Sequence, residues 1–314
     1  MAASTLRAIC LTAPTACGKT DLALELAEKL PLEIVSVDSA MVYRGMDIGT
    51  AKPDADVRAA VPHHLIDVAD PAEAYSAGRF LEDATAAIAD ITSRGRLPLL
   101  VGGTLLYLRA LTKGLGKMPQ ADAELRRTLD QRAADEGWPA LHAELKNVDP
   151  EAAARIAPTD RQRIQRALEV YMLTGNPISV LHRDVPNGPR FSIAILALVP
   201  PDRSALARRI ERRFDVMVEA GFIGEVEELR SRPDLTADTP SMRAVGYRQV
   251  WGYLDNHYDW DVARQRTIVA TRQLAKRQMT WLRSERTSQT FEAFSPQLAG
   301  KLHERIRSEW LRWT

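Results

Sequence analysis

The sequence predicts an α/β protein: a doubly wound, mainly parallel sheet into which an all-helical domain is inserted. Three features predict it. Through residues 1–118, short apolar runs alternate with stretches of helical spacing, the rhythm of parallel strands joined by crossover helices. Leu97–Val101 is apolar without a break, as expected of a strand covered on both faces. From about Met118 to Pro189 no convincing strand occurs, and the apolar run Ile193–Val199 then returns to the sheet.

Each element follows from local pattern. Leu6–Leu11 is a first strand, and Thr20–Leu30 has helical spacing after a Pro- and Gly-containing turn. Glu33–Val37 is a second strand ending at Asp38, and His64–Val68 a short third one. Ser76–Arg94 is a long helix with Ser76 as N-cap. The charged helical stretch is broken at Gly137–Trp138–Pro139, Asp149–Pro150, Gly175–Asn176–Pro177 and Asn187–Gly188–Pro189. Ser204–Arg230 and Asp261–Arg283 are helical again. The expected division is a core of residues 1–118 and 191–314 and a helical insertion of 119–190.

Bulk composition narrows the class. The 314 residues are 45% hydrophobic and 26% charged, ordinary for a globular protein with a real core. No apolar run is long enough to span a bilayer, and Met1–Arg7 lacks the pattern of a signal peptide. The two cysteines, Cys10 and Cys17, exclude a disulfide framework or a cysteine-rich zinc site. A cytoplasmic protein without membrane contact is expected. The net charge of +1 conceals an asymmetry: residues 1–150 carry 16 Lys+Arg against 21 Asp+Glu, residues 151–314 carry 26 against 20. Such asymmetry hints at nucleic acid, although a solvated face of mixed helices gives the same numbers.

The first strand runs into Ala13, Pro14, Thr15, Ala16, Cys17, Gly18, Lys19 and Thr20. This is a P-loop pattern with Ala13 in place of the first glycine. Loop N–H groups and the following helix N-terminus converge on phosphate oxygens. Lys19 adds a cation, and the Thr20 hydroxyl is a ligand for Mg²⁺. The strand Leu97–Val101 ends in Gly102–Gly103–Thr104 with no carboxylate, which disfavours ordinary ATP or GTP hydrolysis and leaves diphosphate binding. Ligands of open α/β sheets bind beyond the carboxyl ends of the strands, so Asp38 and Thr104 fall near the loop. Asp38 is a candidate general base or metal ligand; capping its own turn is the simpler alternative. Tyr43, Arg44, Asp47, Thr50 and Lys52 lie in a polar loop that is a candidate for closing on substrate. His63 and His64 lack a third ligand and are expected to be structural. Cys17 is expected to be a small loop residue and not a nucleophile.

The residues resemble a known family, the tRNA dimethylallyltransferases (tRNA isopentenyltransferases). Ala13–Thr20 is similar to the family's phosphate loop, and Asp38–Pro53 to its long signature after the second strand. Leu99–Thr104, Gln162–Glu169, Arg243–Gln249 and Lys276–Arg283 are similar to later motifs. The likeness runs through nearly the whole chain, in order. No zinc finger follows the core, so the short bacterial form is the one resembled.

The resemblance implies transfer of a dimethylallyl group from dimethylallyl diphosphate to the exocyclic amine of the adenine just 3′ of the anticodon, with Mg²⁺ required. It implies Lys19, Asp38 and Thr104 as catalytic residues, 13–20 as the diphosphate loop and Thr20 as metal ligand. For tRNA it implies Asp38, Ser39, Ala40, Met41 and Thr104 at the crevice, with Arg126, Gln162, Arg163, Ile164, Gln165 and Arg166 in the insertion. Arg243, Ala244, Val245, Gly246, Tyr247 and Arg248 would add to these, as would Lys276, Arg277, Gln278, Met279, Thr280, Trp281, Leu282 and Arg283. The expected partners are the tRNA anticodon stem-loop and the diphosphate donor, and the expected state is a monomer. Two rivals stand beside this reading. A small-metabolite kinase would consume ATP and need a carboxylate that the strand at 97–101 does not supply. A non-catalytic RNA binder would be indifferent to loss of Lys19.

Overall fold

The computed structural model describes residues 6–116, 118–183, 191–285 and 287–313. In chain order its elements are β1 (Leu6–Thr12), α1 (Lys19–Ala27), β2 (Leu32–Val37), α2 (Ala55–Ala60), β3 (His63–His64), α3 (Ala77–Ser93), β4 (Leu97–Gly102) and α4 (Leu105–Lys113). Then come α5 (Ala123–Glu136), α6 (Trp138–Val148), α7 (Pro150–Arg155), α8 (Arg161–Thr174), α9 (Ile178–Arg183) and β5 (Phe191–Val199). The chain closes with α10 (Arg203–Glu219), α11 (Phe222–Arg230), α12 (Tyr247–Leu254), α13 (Trp260–Ser284), β6 (Gln289–Glu292) and α14 (Leu298–Leu311).

Two compact units result, one of Met1–Thr112 with Arg190–Thr314, the other of Lys113–Pro189. The first is built on a six-stranded sheet of order β3-β2-β4-β1-β5-β6 in which every pairing is parallel. Alternate residues of the strands serve opposite layers, because side chains reverse at each step along a strand. Ala8 and Cys10 face a layer that includes Phe80, Ala84, Ile88 and Ile91 of α3. Ile9 and Leu11 face one that includes Leu26 of α1 and Leu302 and Ile306 of α14. Each fully buried Leu, Ile or Phe among them stabilises by about 1.5–3 kcal/mol. Ser76 caps α3, accepting the Arg79 N–H at 3.1 Å.

Three expectations about elements are corrected. The third strand covers only His63–His64, because Leu65 and Asp67 take left-handed backbone (φ 62° and 58°) and curl the chain away. The helical run 204–230 is two helices, parted where Gly221 adopts φ 99°. The edge strand β6 has no counterpart in the sequence reading: its QTFE sequence buries only Phe291. His64 Nε2 lies 2.7 Å from Glu33 Oε2, and His63 Nδ1 2.6 Å from Val61 O. Both histidines are thus structural, and no described group of three or more His, Cys, Asp or Glu residues could hold a metal.

The second unit, α5–α9, has its own apolar core around Leu129, Leu141, Leu145, Ile164 and Leu168. It also buries two carboxylates, those of Asp149 and Glu169. The Glu169 carboxylate is fully buried and accepts Arg126 Nε (2.8 Å), Arg166 Nη1 (2.5 Å) and the Asp122 N–H (2.9 Å). Burial opposes ionisation there, yet the two arginines outweigh it and hold Glu169 below the usual carboxylate range. The break read at Asn187–Gly188–Pro189 lies outside the described residues. No helix among the described residues is long and apolar enough to cross a membrane.

Candidate active site

Strand β1 delivers the loop 13–20 at its carboxyl end. Ala16 and Gly18 both take left-handed backbone (φ 64° and 77°), folding the loop back before α1 begins at Lys19. The Lys19 ammonium donates to Ala13 O and Pro14 O, both at 3.1 Å. An ammonium has three donors, so one remains for an anion. Burial pushes Lys19 down to about 8, with the neighbouring Arg213 adding to the effect and Asp38 opposing it. Cys17 is buried and its thiol is pushed up to about 11. At neutral pH it is held in the protonated thiol form.

Strand β2 delivers Asp38, and β4, between β1 and β2, delivers Gly102–Gly103–Thr104. The Gly103 and Thr104 N–H groups both donate to Val37 O at 3.2 Å. This approach demands glycine: a Cβ on Gly102 would lie 2.1 Å from Val37 O. Asp38 does cap its own turn, Oδ1 accepting Ala40 N–H (2.8 Å) and Met41 N–H (3.2 Å). Oδ2 takes no hydrogen bond from a described residue. Thr104 Oγ1 accepts the Ser39 N–H at 3.0 Å, tying the Asp38 turn to the end of β4.

Three residues complete the site from distant sequence. Gln278 of α13 accepts the Thr15 N–H at 2.9 Å and donates to Gly103 O at 2.9 Å, so one buried amide braces loop 13–20 against the β4 end. Arg209 of α10 donates Nε to Ala16 O at 3.0 Å, with its guanidinium 4.6 Å from the Phe294 ring centroid. One turn on, Arg213 donates to Thr50 O at 3.2 Å. Burial lowers its pKa, and the Asp38 and Asp21 carboxylates pull it back. Neither arginine was singled out in the sequence; the available signal was two cations four residues apart on a helix that follows a sheet strand.

Residues 41–285 match the family described as IPP transferase. A tRNA dimethylallyltransferase of Burkholderia mallei (strain SAVP1) is 60% identical over 289 residues, 90% of this chain and 89% of that protein. The chain belongs to the IPP transferase family. A tRNA dimethylallyltransferase of Burkholderia thailandensis is equally similar, 60% identical over 289 residues. Among solved structures, the full-length tRNA isopentenylpyrophosphate transferase of Bacillus halodurans is 36% identical, with TM-score 0.70, covering 98% of this chain and 97% of that one. A eukaryotic dimethylallyltransferase acting on tRNA is 28% identical, with TM-score 0.71, covering 88% and 69%.

Within this IPP transferase fold the remaining expected contacts separate by exposure. Arg248, Lys276, Arg277, Thr280 and Arg283 are exposed, as are Arg243 and, in the second unit, Gln162 and Arg163. Ile164, Tyr247, Gln278 and Leu282 are buried. Trp281 and Ala244 pack on the core; Val245 and Met279 are half-buried. Gly246 opens α12 with φ 97°. Arg126 and Arg166 are engaged by Glu169, and Gln165 by Asp130 at 2.7 Å. The polar loop at 43–52 is a fixed element: the Lys52 side chain, 1% exposed, donates to Tyr43 O (2.8 Å) and Asp67 Oδ1 (2.6 Å) and also pairs with Asp47.

Proposed function

We propose that this protein transfers the dimethylallyl group of dimethylallyl diphosphate to the exocyclic N6 amine of the adenine 3′-adjacent to the anticodon in tRNA, releasing diphosphate. One observation carries the reading: Lys19, Asp38 and Thr104 stand at the carboxyl ends of three neighbouring strands around a phosphate loop, and β4 ends in glycine where a nucleotidase has an acid. The relatives are named tRNA dimethylallyltransferases.

The loop N–H groups and the Lys19 ammonium hold the donor's diphosphate, and Arg213 adds a second positive charge. The N6–C1 bond forms as the C1–O bond breaks, and the electron pair leaves on the diphosphate, where Lys19 stabilises it. The amine proton passes to Asp38 Oδ2. Thr104 and the Ser39 N–H fix the turn that presents this carboxylate. In a phosphate loop the hydroxyl that follows the lysine is the residue placed to ligate Mg²⁺ alongside substrate phosphates. Thr20 in the first turn of α1 suits that mode and would hold the ion, which would supply charge neutralisation on the leaving group. The adenine reaches the crevice by leaving its loop stack, which an unpaired anticodon loop makes inexpensive. We place the protein in the cytoplasm and read it as a monomer.

The test is a product assay. Purified protein, Mg²⁺, dimethylallyl diphosphate and unmodified tRNA yield an adenosine heavier by one isoprene unit after digestion. No such nucleoside, with ATP consumed against a small acceptor, overturns the reading.

The tRNA surface has its own prediction. Lys276 and Arg277 are exposed, and neither forms an ion pair with a described residue. Removing either charge raises KM for tRNA and flattens its dependence on log salt by about 0.7–0.9 for each phosphate no longer neutralised. KM for the donor stays unchanged. An unaltered salt slope would show that α13 does not track the RNA backbone.

A further inference from the structure

Glu225 lies on α11, outside every motif read from the sequence. Its carboxylate nevertheless takes four donors. Oε2 accepts the Asp47 N–H (2.9 Å) and the Ile48 N–H (2.6 Å); Oε1 accepts the Gly49 N–H (3.1 Å) and the Tyr247 hydroxyl (2.5 Å). Successive N–H groups converging on one point form a nest that binds anions, and here the protein's own carboxylate fills it. Close packing reinforces the clamp. A Cβ on Gly49 would lie 2.1 Å from Phe222 Cε2 and 2.7 Å from Tyr247 Cε2, so only glycine fits. Phe222 and Tyr247 in turn meet edge to face at 5.0 Å.

The clamped segment ends where the active site begins. Thr50 O, one residue beyond Gly49, receives the Arg213 guanidinium at 3.2 Å. That is the one hydrogen bond Arg213 makes to a described residue. The Thr50 hydroxyl fixes the same turn from inside, donating to Met46 O at 2.7 Å. Arg213 is near enough to Lys19 and Asp38 for its charge to be felt by Lys19 and for Asp38 to be felt by Arg213. A guanidinium anchored by one bond is aimed by whatever fixes that bond's acceptor.

We infer that Glu225 is a positioning residue for diphosphate capture. By holding the N–H groups of 47–49 it fixes the Thr50 carbonyl, and through it the direction in which Arg213 presents its charge to the diphosphate. The inference rests on the reading of this crevice as the donor site. In Glu225→Gln one oxygen becomes an NH₂ facing the nest, so two like dipoles oppose each other and the segment loosens.

The experiment is a double-mutant cycle read with inorganic diphosphate as probe, by calorimetry on the full chain, alongside steady-state kinetics. Glu225→Gln binds diphosphate about tenfold more weakly, as expected for loss of hydrogen bonds to a charged group. KM for the donor rises in step, while KM for tRNA does not change. Arg213→Gln weakens binding at least as much, and adding Glu225→Gln to it costs little more, because the residue that Glu225 aims is already gone. Additive losses, or equal losses in both KM values, would reduce Glu225 to a general structural role and overturn the inference. If Glu225→Gln does not fold, Glu225→Asp keeps the charge but withdraws it from the nest and is read by the same cycle. Diphosphate binding that follows this cycle without any prenylated product would instead defeat the transferase reading and leave the positioning role intact.

Discussion

Replacing Lys19 by alanine lowers kcat/KM for prenyl transfer by about 10²–10³-fold, the usual cost of removing one preorganised group that stabilises developing negative charge. The loss belongs to the transition state as well as to binding, because charge on the bridging oxygen grows as the C1–O bond breaks. The loop itself survives the change: Thr15 remains bonded to Gln278, and Ala16 O to Arg209. Circular dichroism and the melting temperature should therefore stay close to wild type while the product disappears. Full activity in the variant would mean that the loop N–H groups bind the diphosphate unaided. The same residue sets a pH limit. Burial brings Lys19 down to about 8, against an ordinary lysine near 10.5. In the free protein the cation is lost as pH rises through 8, so kcat/KM falls above that value. Between 8 and 10.5 the unfolded chain binds the proton that the folded one has released, so this group's contribution to stability rises with pH over the interval. A flat kcat/KM profile up to about pH 9.5 would contradict the role given to Lys19.

Asp38→Asn lowers kcat by about 10²–10⁴-fold, the range spanned by general-base groups, with KM for the donor nearly unchanged. The substitution separates the two uses of this side chain. An asparagine oxygen still accepts the Ala40 and Met41 N–H groups that Asp38 Oδ1 accepts at 2.8 and 3.2 Å, so the turn keeps its cap. What is lost is the second carboxylate oxygen, which alone can take the amine proton. Single-turnover measurement with saturating donor and tRNA isolates this step. Turnover near wild type would reduce Asp38 to a cap and move the base elsewhere in the crevice.

Much of the fold was legible because local chemistry and tertiary position agree. β1, the phosphate loop and α1 are visible from an apolar run followed by Gly18–Lys19–Thr20. β4 is visible because a strand covered on both faces has no polar alternation. Ser76 announces α3, and the structure places its hydroxyl on the Arg79 N–H. β3 and β6 escaped for opposite reasons. His64–Val68 has strand-like residues but left-handed turns at Leu65 and Asp67, held by the pairing of Asp67 with Lys52 and Arg58. Gln289–Glu292 has little apolar pattern and is a strand only because β5 offers it an edge.

The site divides in the same way. Groups carried by β1, β2 and β4 could be placed from sequence, since the carboxyl ends of parallel strands meet along one edge. Apolar spacing marks the inward face of α13 through Ile268, Ala275 and Leu282, all buried, but it does not mark a polar residue on that face. Gln278 sits among Lys276, Arg277 and Arg283, and looked like one more surface residue, whereas its buried amide joins Thr15 to Gly103 although it lies 263 and 175 residues from them along the chain. The sequence likewise gives no sign that Arg126 and Arg166 share a partner, whereas Glu169 is buried between them and engages both.

By itself the sequence determined the core strands β1, β2, β4 and β5, the phosphate loop and the carboxylate at the end of β2, because hydrophobic periodicity and backbone-approach residues act over a few positions. Only the tertiary structure decided which cations remain free, that Gln278 braces the loop, and that Glu225 clamps the turn feeding Arg213. Those pairings depend on residues brought together from far along the chain, and charge partners are chosen by proximity in the folded state.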